Sequence, residues 1–125
     1  MEYSQRVGEL WERIMEMKES SGKFKIELIE LTSIRERTRG LRGAEQPNEG
    51  EGVLIKARQV HTFGMRFPID VVYLSRGGVI KKISTMPPRR IGPLVATSSA
   101  VIEMREGEAR RLGMEPGMRL IEVGR

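Results

Sequence analysis

The sequence predicts a mainly β fold, a small antiparallel β-barrel or sandwich of about five to seven strands with short inserted helices and an N-terminal amphipathic helix. Three observations carry the prediction. Short runs such as Phe24-Lys25-Ile26-Glu27-Leu28 alternate apolar and polar residues at the period of a strand. Other runs, above all Ile69 to Leu74, are apolar on both parities, as in a strand covered on two faces. Gly and Pro punctuate the intervals, and no long helix alternates with the strands, which excludes βαβ units.

In chain order, residues 4–20 place Val7, Leu10, Trp11, Ile14 and Met17 on one stripe at helical spacing, with glutamates opposite. Ser4 would cap that helix and Gly22 would end it. This defines an N-terminal helical extension over 1–22 and a single β domain over 23–125. Lys23 to Leu31 is the first strand. Its phase slips at Leu28-Ile29, which suggests a bulge or a strand end. Residues 33–43 form a short helix rich in arginine, and 44–52 a polar loop. A strand opens at Val53. The stretch Val60–Leu74 then bends at Gly64, starts a strand after Pro68 and ends at the hairpin turn Ser75-Arg76-Gly77-Gly78. Val79 to Ser84 returns as its partner. Pro87, Pro88 and Pro93 keep 86–93 irregular. A strand over 96–104, a short helix over 106–112 stopped by Gly113, and a last strand over 119–123 complete the chain.

Composition excludes whole classes of function. There is no Cys and one His, which rules out disulfides, a thiolate nucleophile and zinc sites built on Cys or two His. No metal or cofactor is expected. No apolar run approaches the ~20 residues of a membrane span, so a soluble cytoplasmic protein without a membrane partner is expected. Charged residues reach 31% while Asn and Asp occur once each, a thermophile-like bias. The net charge of +5 is concentrated: residues 53–99 hold eight bases and the single Asp70, and the other segments balance or lean acidic. A positive field attracts anions. The structural counterpart is a solvated face whose acids come from elsewhere in the fold.

Val60–Leu74 contains the only His (His61) and the only Asp (Asp70). A His–Asp pair would need a nucleophile such as Ser84, Ser98 or Ser99, none of which has the flanking glycines of a nucleophile elbow. Asp70 is better read as a buried carboxylate held by an arginine (Arg39, Arg58 or Arg66) or by backbone amides. Phe63, Phe67 and Tyr73 amid the basic residues raise a nucleic-acid reading by base stacking. The tail 102–123 looks like the swapped-hairpin DNA-binding domains of bacterial transition-state regulators.

His61-Thr62-Phe63-Gly64-Met65-Arg66-Phe67-Pro68-Ile69-Asp70 resembles the signature of the family known as domain of unknown function 192. Thr38-Arg39-Gly40-Leu41, Arg76-Gly77-Gly78-Val79, Pro87-Pro88 and Leu112-Gly113 with Pro116-Gly117 resemble its further motifs, over residues 23–123. Met118 stands where the family usually has Asp. The resemblance implies a compact, mainly β fold; it implies no activity, because the family has none established, and so carries over no catalytic residues.

The reading that follows is a binding module for a polar or anionic small molecule. Its candidate ligand-binding residues are Arg39, His61, Thr62, Met65, Arg66 and Asp70. A nucleic-acid module using 53–99 is the alternative, and a hydrolase-like enzyme using His61 and Asp70 the weaker one. The chain is expected to be a monomer, or a homodimer through residues 4–20.

Overall fold

The computed structural model describes residues 12–31 and 46–124. Seven strands form one curled sheet: β1 (Glu12–Glu19), β2 (Lys25–Leu31), β3 (Glu51–Ile55), β4 (Ile69–Leu74), β5 (Ile80–Met86), β6 (Ala100–Arg105) and β7 (Leu120–Glu122), with one short helix, α1 (Glu108–Leu112), between β6 and β7. Their spatial order is β5-β4-β6-β3-β2-β1-β7. The mainly β expectation holds. Neighbours are antiparallel except β2 and β3, which run parallel. The predicted helix at 33–43 lies outside the described residues.

The N-terminal helix is corrected over its described part. Glu12–Glu19 is a strand, paired with β2 from Glu12↔Leu31 to Lys18↔Lys25 and with β7 through Met17, Lys18 and Glu19. The helical stripe mixed residues from both faces of this strand. Met15 and Met17 are buried, whereas Ile14 is 43% exposed. Gly22 does end the element, but as the turn of a hairpin: its φ is +87° and its N–H donates to the Glu19 carbonyl at 2.7 Å. Residues 1–11, with Trp11, lie outside the description.

The phase slip in β2 is not a bulge. Its register with β1 and β3 is unbroken across Leu28-Ile29. What changes is which face is covered, because the sheet has a core on each side. Ile26 and Leu28 join Met15, Met17, Leu54, Val72, Ile102 and Met104 on one face, closed by Leu120 and by Ala109 of α1. Leu31 joins Val53, Ile55, Ile69, Val71, Tyr73 and Val101 on the other, closed by Met65 with Val60, Phe67 and Val95 from loops. β4 contributes to both, and all six of its residues are buried, as its two-sided apolar pattern predicts.

The two ends of the sheet meet at one corner. Val79, just before β5, bridges Arg119, just before β7. The Ile80 N–H donates to the Met118 carbonyl (2.7 Å) and the Leu120 N–H to the Gly78 carbonyl (2.8 Å). Gly78 has φ +86°, and a Cβ there would stand 2.3 Å from the Leu120 carbonyl oxygen. The hairpin turn and the closing corner therefore both require glycine at 78.

Candidate functional site

Val60–Leu74 divides at Pro68. Beyond it, β4 carries Asp70 into the interior at 2% exposure. The Asp70 carboxylate accepts the Thr85 hydroxyl at 2.8 Å on Oδ1, and the backbone N–H groups of Gly107 (3.1 Å) and Ala109 (3.0 Å) on Oδ2. Gly107 is the N-cap of α1 and has no side chain to cap it. Asp70 supplies that cap from a neighbouring strand. Of the donors expected for Asp70, backbone amides are present, with a hydroxyl added, and among the described residues neither Arg58 nor Arg66 bonds to it.

Before Pro68 the chain makes an extended tip. Thr62 is completely buried. Its N–H donates to the Arg90 carbonyl (2.8 Å), and its carbonyl accepts from Met65 and Arg89 (both 3.1 Å). Its hydroxyl donates to the Pro87 carbonyl at 2.7 Å and accepts from the Arg90 N–H at 2.9 Å. Thr62 thus fastens the proline loop to the tip. Met65 is buried in the second core. His61 and Arg66 face solvent. The His61 Nδ1 accepts a long hydrogen bond from the Phe63 N–H (3.3 Å), and the two rings lie 5.4 Å apart. His61 and Asp70 make no hydrogen bond to one another, and none of Ser84, Ser98 or Ser99 bonds to His61. Of the six candidate residues, Thr62, Met65 and Asp70 hold the fold together, His61 and Arg66 are accessible, and Arg39 lies outside the described residues. No group of three or more His, Asp or Glu side chains able to hold a metal occurs among the described residues.

Among the described residues, no acid within ion-pair distance balances the charge of 53–99. Among the described residues, the ion pairs join Arg13 to Glu30 and Glu122, and Arg111 to Glu49 and Glu108. None involves a cation of 53–99. Lys81 and Lys82 sit on β5, at an end of the sheet, where lysines discourage edge-to-edge pairing. Lys56, Arg58 and Arg76 instead converge. They line an open cleft of about 410 Å³ together with Thr97, Ser98 and Ser99. Ser98 is its fixed floor: the buried hydroxyl hydrogen-bonds to the carbonyls of Ala57 (2.8 Å) and Ala100 (3.1 Å). Thr97 and Ser99 are exposed. A larger cleft of about 570 Å³ is lined by Arg13, Ile14 and Glu122. Its guanidinium is neutralised by two carboxylates, Glu122 at 2.8 Å and Glu30 at 2.7 Å, and its pKa is raised by those hydrogen bonds.

In the sequence, Lys56, Arg58 and Arg76 are bases and Ser98 and Ser99 hydroxyls on separate segments, and the fold brings them to one cleft. The available signal was modest: Lys56-Ala57-Arg58 leaves a strand end, and Thr97-Ser98-Ser99 precedes the next internal strand. The Ser99 N–H donates to the Leu74 carbonyl at 2.7 Å, which brings this run to the hairpin that carries Arg76.

Residues 14–121 match the family model DUF192, described as Uncharacterized ACR. The match takes in most of β1, which the sequence resemblance over 23–123 left out. Two solved structures are similar in fold. A Sinorhizobium meliloti 1021 protein described as a candidate transcription regulator is 23% identical, with TM-score 0.76, covering 92% of this chain and 98% of its own. A Novosphingobium aromaticivorans DSM 12444 protein of unknown function is 19% identical, with TM-score 0.74, covering 93% of this chain and 89% of its own. At these identities the likeness is one of fold. Among curated proteins, none matches the chain.

Proposed function

The chain belongs to the DUF192 family, and from that premise we propose that it is a small anion-binding module whose ligand sits in the cleft of Lys56, Arg58 and Arg76. The observation that supports this reading is the cleft itself. Three cations without ion pairs among the described residues face one concave surface with two exposed hydroxyls. Among the described residues, no Asp or Glu lines it. A concave wall of one sign focuses the field on a small anion, and arginine pairs form charge-assisted bonds to phosphate or carboxylate oxygens. The ligand class is the one the composition suggests, but the residues are different. Arg66 and His61 stand on the tip, and Asp70, itself anionic, belongs to the helix cap.

The nucleic-acid reading has less behind it. Of the three rings it would use, Tyr73 is fully buried and donates its hydroxyl to the Pro93 carbonyl at 2.9 Å. Phe67 packs on the second core, which leaves Phe63 exposed. The description of the Sinorhizobium protein as a candidate regulator would agree with DNA binding, but one ring is no stacking platform. A hydrolase reading lacks any link between His61, Asp70 and a serine.

Inorganic pyrophosphate titrated into the protein at low salt, followed by amide NMR, tests the proposal. Shifts centred on Lys56–Arg58, Arg76 and Thr97–Ser99 are expected. R58A with R76A should weaken binding by roughly tenfold or more, given about 1.5–3 kcal/mol per hydrogen bond to a charged group. Absence of shifts, or unchanged binding by the double variant, would overturn it.

A further inference from the structure

We infer that the tip formed by residues 61–66 and 89–94 docks on an anionic lipid surface. The inference rests on a second feature of the molecule and is independent of the cleft. Outside the main sheet, 58–62 and 90–95 run antiparallel: the Thr62 N–H donates to the Arg90 carbonyl (2.8 Å), Gly92 to Val60 (2.9 Å) and Val95 to Arg58 (2.9 Å), with His61 bridged to Ile91. Three large apolar side chains of this tip stand in water, Phe63 at 46%, Ile91 at 69% and Leu94 at 66% exposure. They are three of the five large hydrophobics left exposed among the described residues.

The display is prearranged. Buried Thr62 bonds to both segments, and Arg89 is held at φ +66°, the one positive φ outside glycine among the described residues. A side chain in that region carries strain, which persists where surrounding bonds impose it. Exposed Arg66, Arg89 and Arg90 flank the apolar residues, and none is in an ion pair among the described residues. The only acid of 53–99 is Asp70, buried inside the domain, so this stretch offers no carboxylate to repel an anionic surface.

Apolar side chains at the centre with guanidinium groups around them match a bilayer interface that carries acidic headgroups. The apolar groups enter the acyl boundary, and the arginines keep their heads at phosphate level. A peptide-binding groove would cover its apolar residues more than these are covered. Surface docking needs no spanning segment, and no helix among the described residues is long and apolar enough to cross a membrane. The expectation of no membrane partner came from the lack of a span, which surface docking leaves untouched.

Sedimentation of the full chain with phosphatidylcholine vesicles, with and without ~30% phosphatidylserine, tests this. Binding to the phosphatidylserine vesicles, weakened by salt, is expected. I91S with L94S should lower the partition coefficient by about tenfold or more, as loss of buried apolar surface predicts. R66E with R90E should do so by a similar factor. These side chains are exposed, and circular dichroism checks that the variants remain folded. No vesicle-dependent sedimentation, equal binding to neutral vesicles, or unchanged binding by I91S with L94S would overturn the inference. Capture of the chain by soluble polyglutamate but not by vesicles would overturn it in favour of an acidic protein partner.

Discussion

Asp70 carries a charge into the interior and meets it with two amides and a hydroxyl. Its partners belong to β5 and to the start of α1, so one carboxylate ties three elements together. Asp70→Ala leaves the Gly107 and Ala109 amides without their acceptor, and a loss on the order of 2–4 kcal/mol in urea unfolding is expected. Asp70→Asn should recover part of it, since one oxygen remains while an amide N–H now faces donors. A loss below about 0.5 kcal/mol for the alanine variant, the level of a neutral surface change, would contradict the cap. That Asp70 is buried was legible from the apolar strand around it. Its donors were not, because Gly107 and Ala109 are distant in sequence and an amide leaves no mark on side-chain pattern. Thr62 is the converse case. A threonine in a loop reads as surface, yet it is completely buried and bonds to Pro87 and Arg90.

At the level of elements, β1 shows local preference overridden. Glu, Met, Lys and Arg favour helix, and the stripe from Val7 to Met17 has helical spacing. Met15 and Met17, alternating with Glu16 and Lys18, also fit a strand, and pairing on both sides with β2 and β7 decides for it. The other described strands were legible to within a few residues because their apolar runs are short and bounded by Gly or Pro. Helix α1 has its own anchor. Buried Glu108 accepts both Nε (2.8 Å) and a terminal nitrogen (2.6 Å) of Arg111, together with the Gly50 amide. The Arg111 hydrogen bonds, with the Gly50 N–H assisting and burial opposing, hold the Glu108 carboxyl below the ordinary glutamate range. The unfolded chain therefore binds this proton more readily than the folded one. The resulting stability is complete above about pH 4–5 and is lost as pH falls through the lowered native value. Urea unfolding of the wild type should thus weaken more steeply on acidification than that of Glu108→Gln. A variant with equal or steeper acid loss would refute the anchor.

For the molecule as a whole, the decisive contact is the corner where the ends of the sheet meet. An L-residue at Gly78 would bear left-handed strain of about 1–2 kcal/mol, and its Cβ would meet the Leu120 carbonyl oxygen at 2.3 Å. Gly78→Ala should therefore cost on the order of 3 kcal/mol and release the Leu120 and Ile80 amides to hydrogen exchange. Gly77→Ala, with nothing within 4 Å of its Cβ and no positive φ, is the internal control. It should stay within about 0.5 kcal/mol of wild type. Equal effects at the two positions would remove the corner from the account. From the sequence, Gly78 is a turn glycine; its second role requires β7 to be in place beside it.

The sequence by itself determined the mainly β class, the approximate positions of the described strands from β2 onward, the burial of Asp70 and the concentration of positive charge in 53–99. Each of these follows from spacing along the chain or from a count of charges, and neither depends on distant partners. Only the tertiary structure decided that Glu12–Glu19 is a strand, that β2 runs parallel to β3, that α1 is capped from β4, and that Lys56, Arg58 and Arg76 share a cleft while Phe63, Ile91 and Leu94 share a tip. Those outcomes depend on which distant segments meet, and loop closure and the covering of both sheet faces settle that for the chain as a whole.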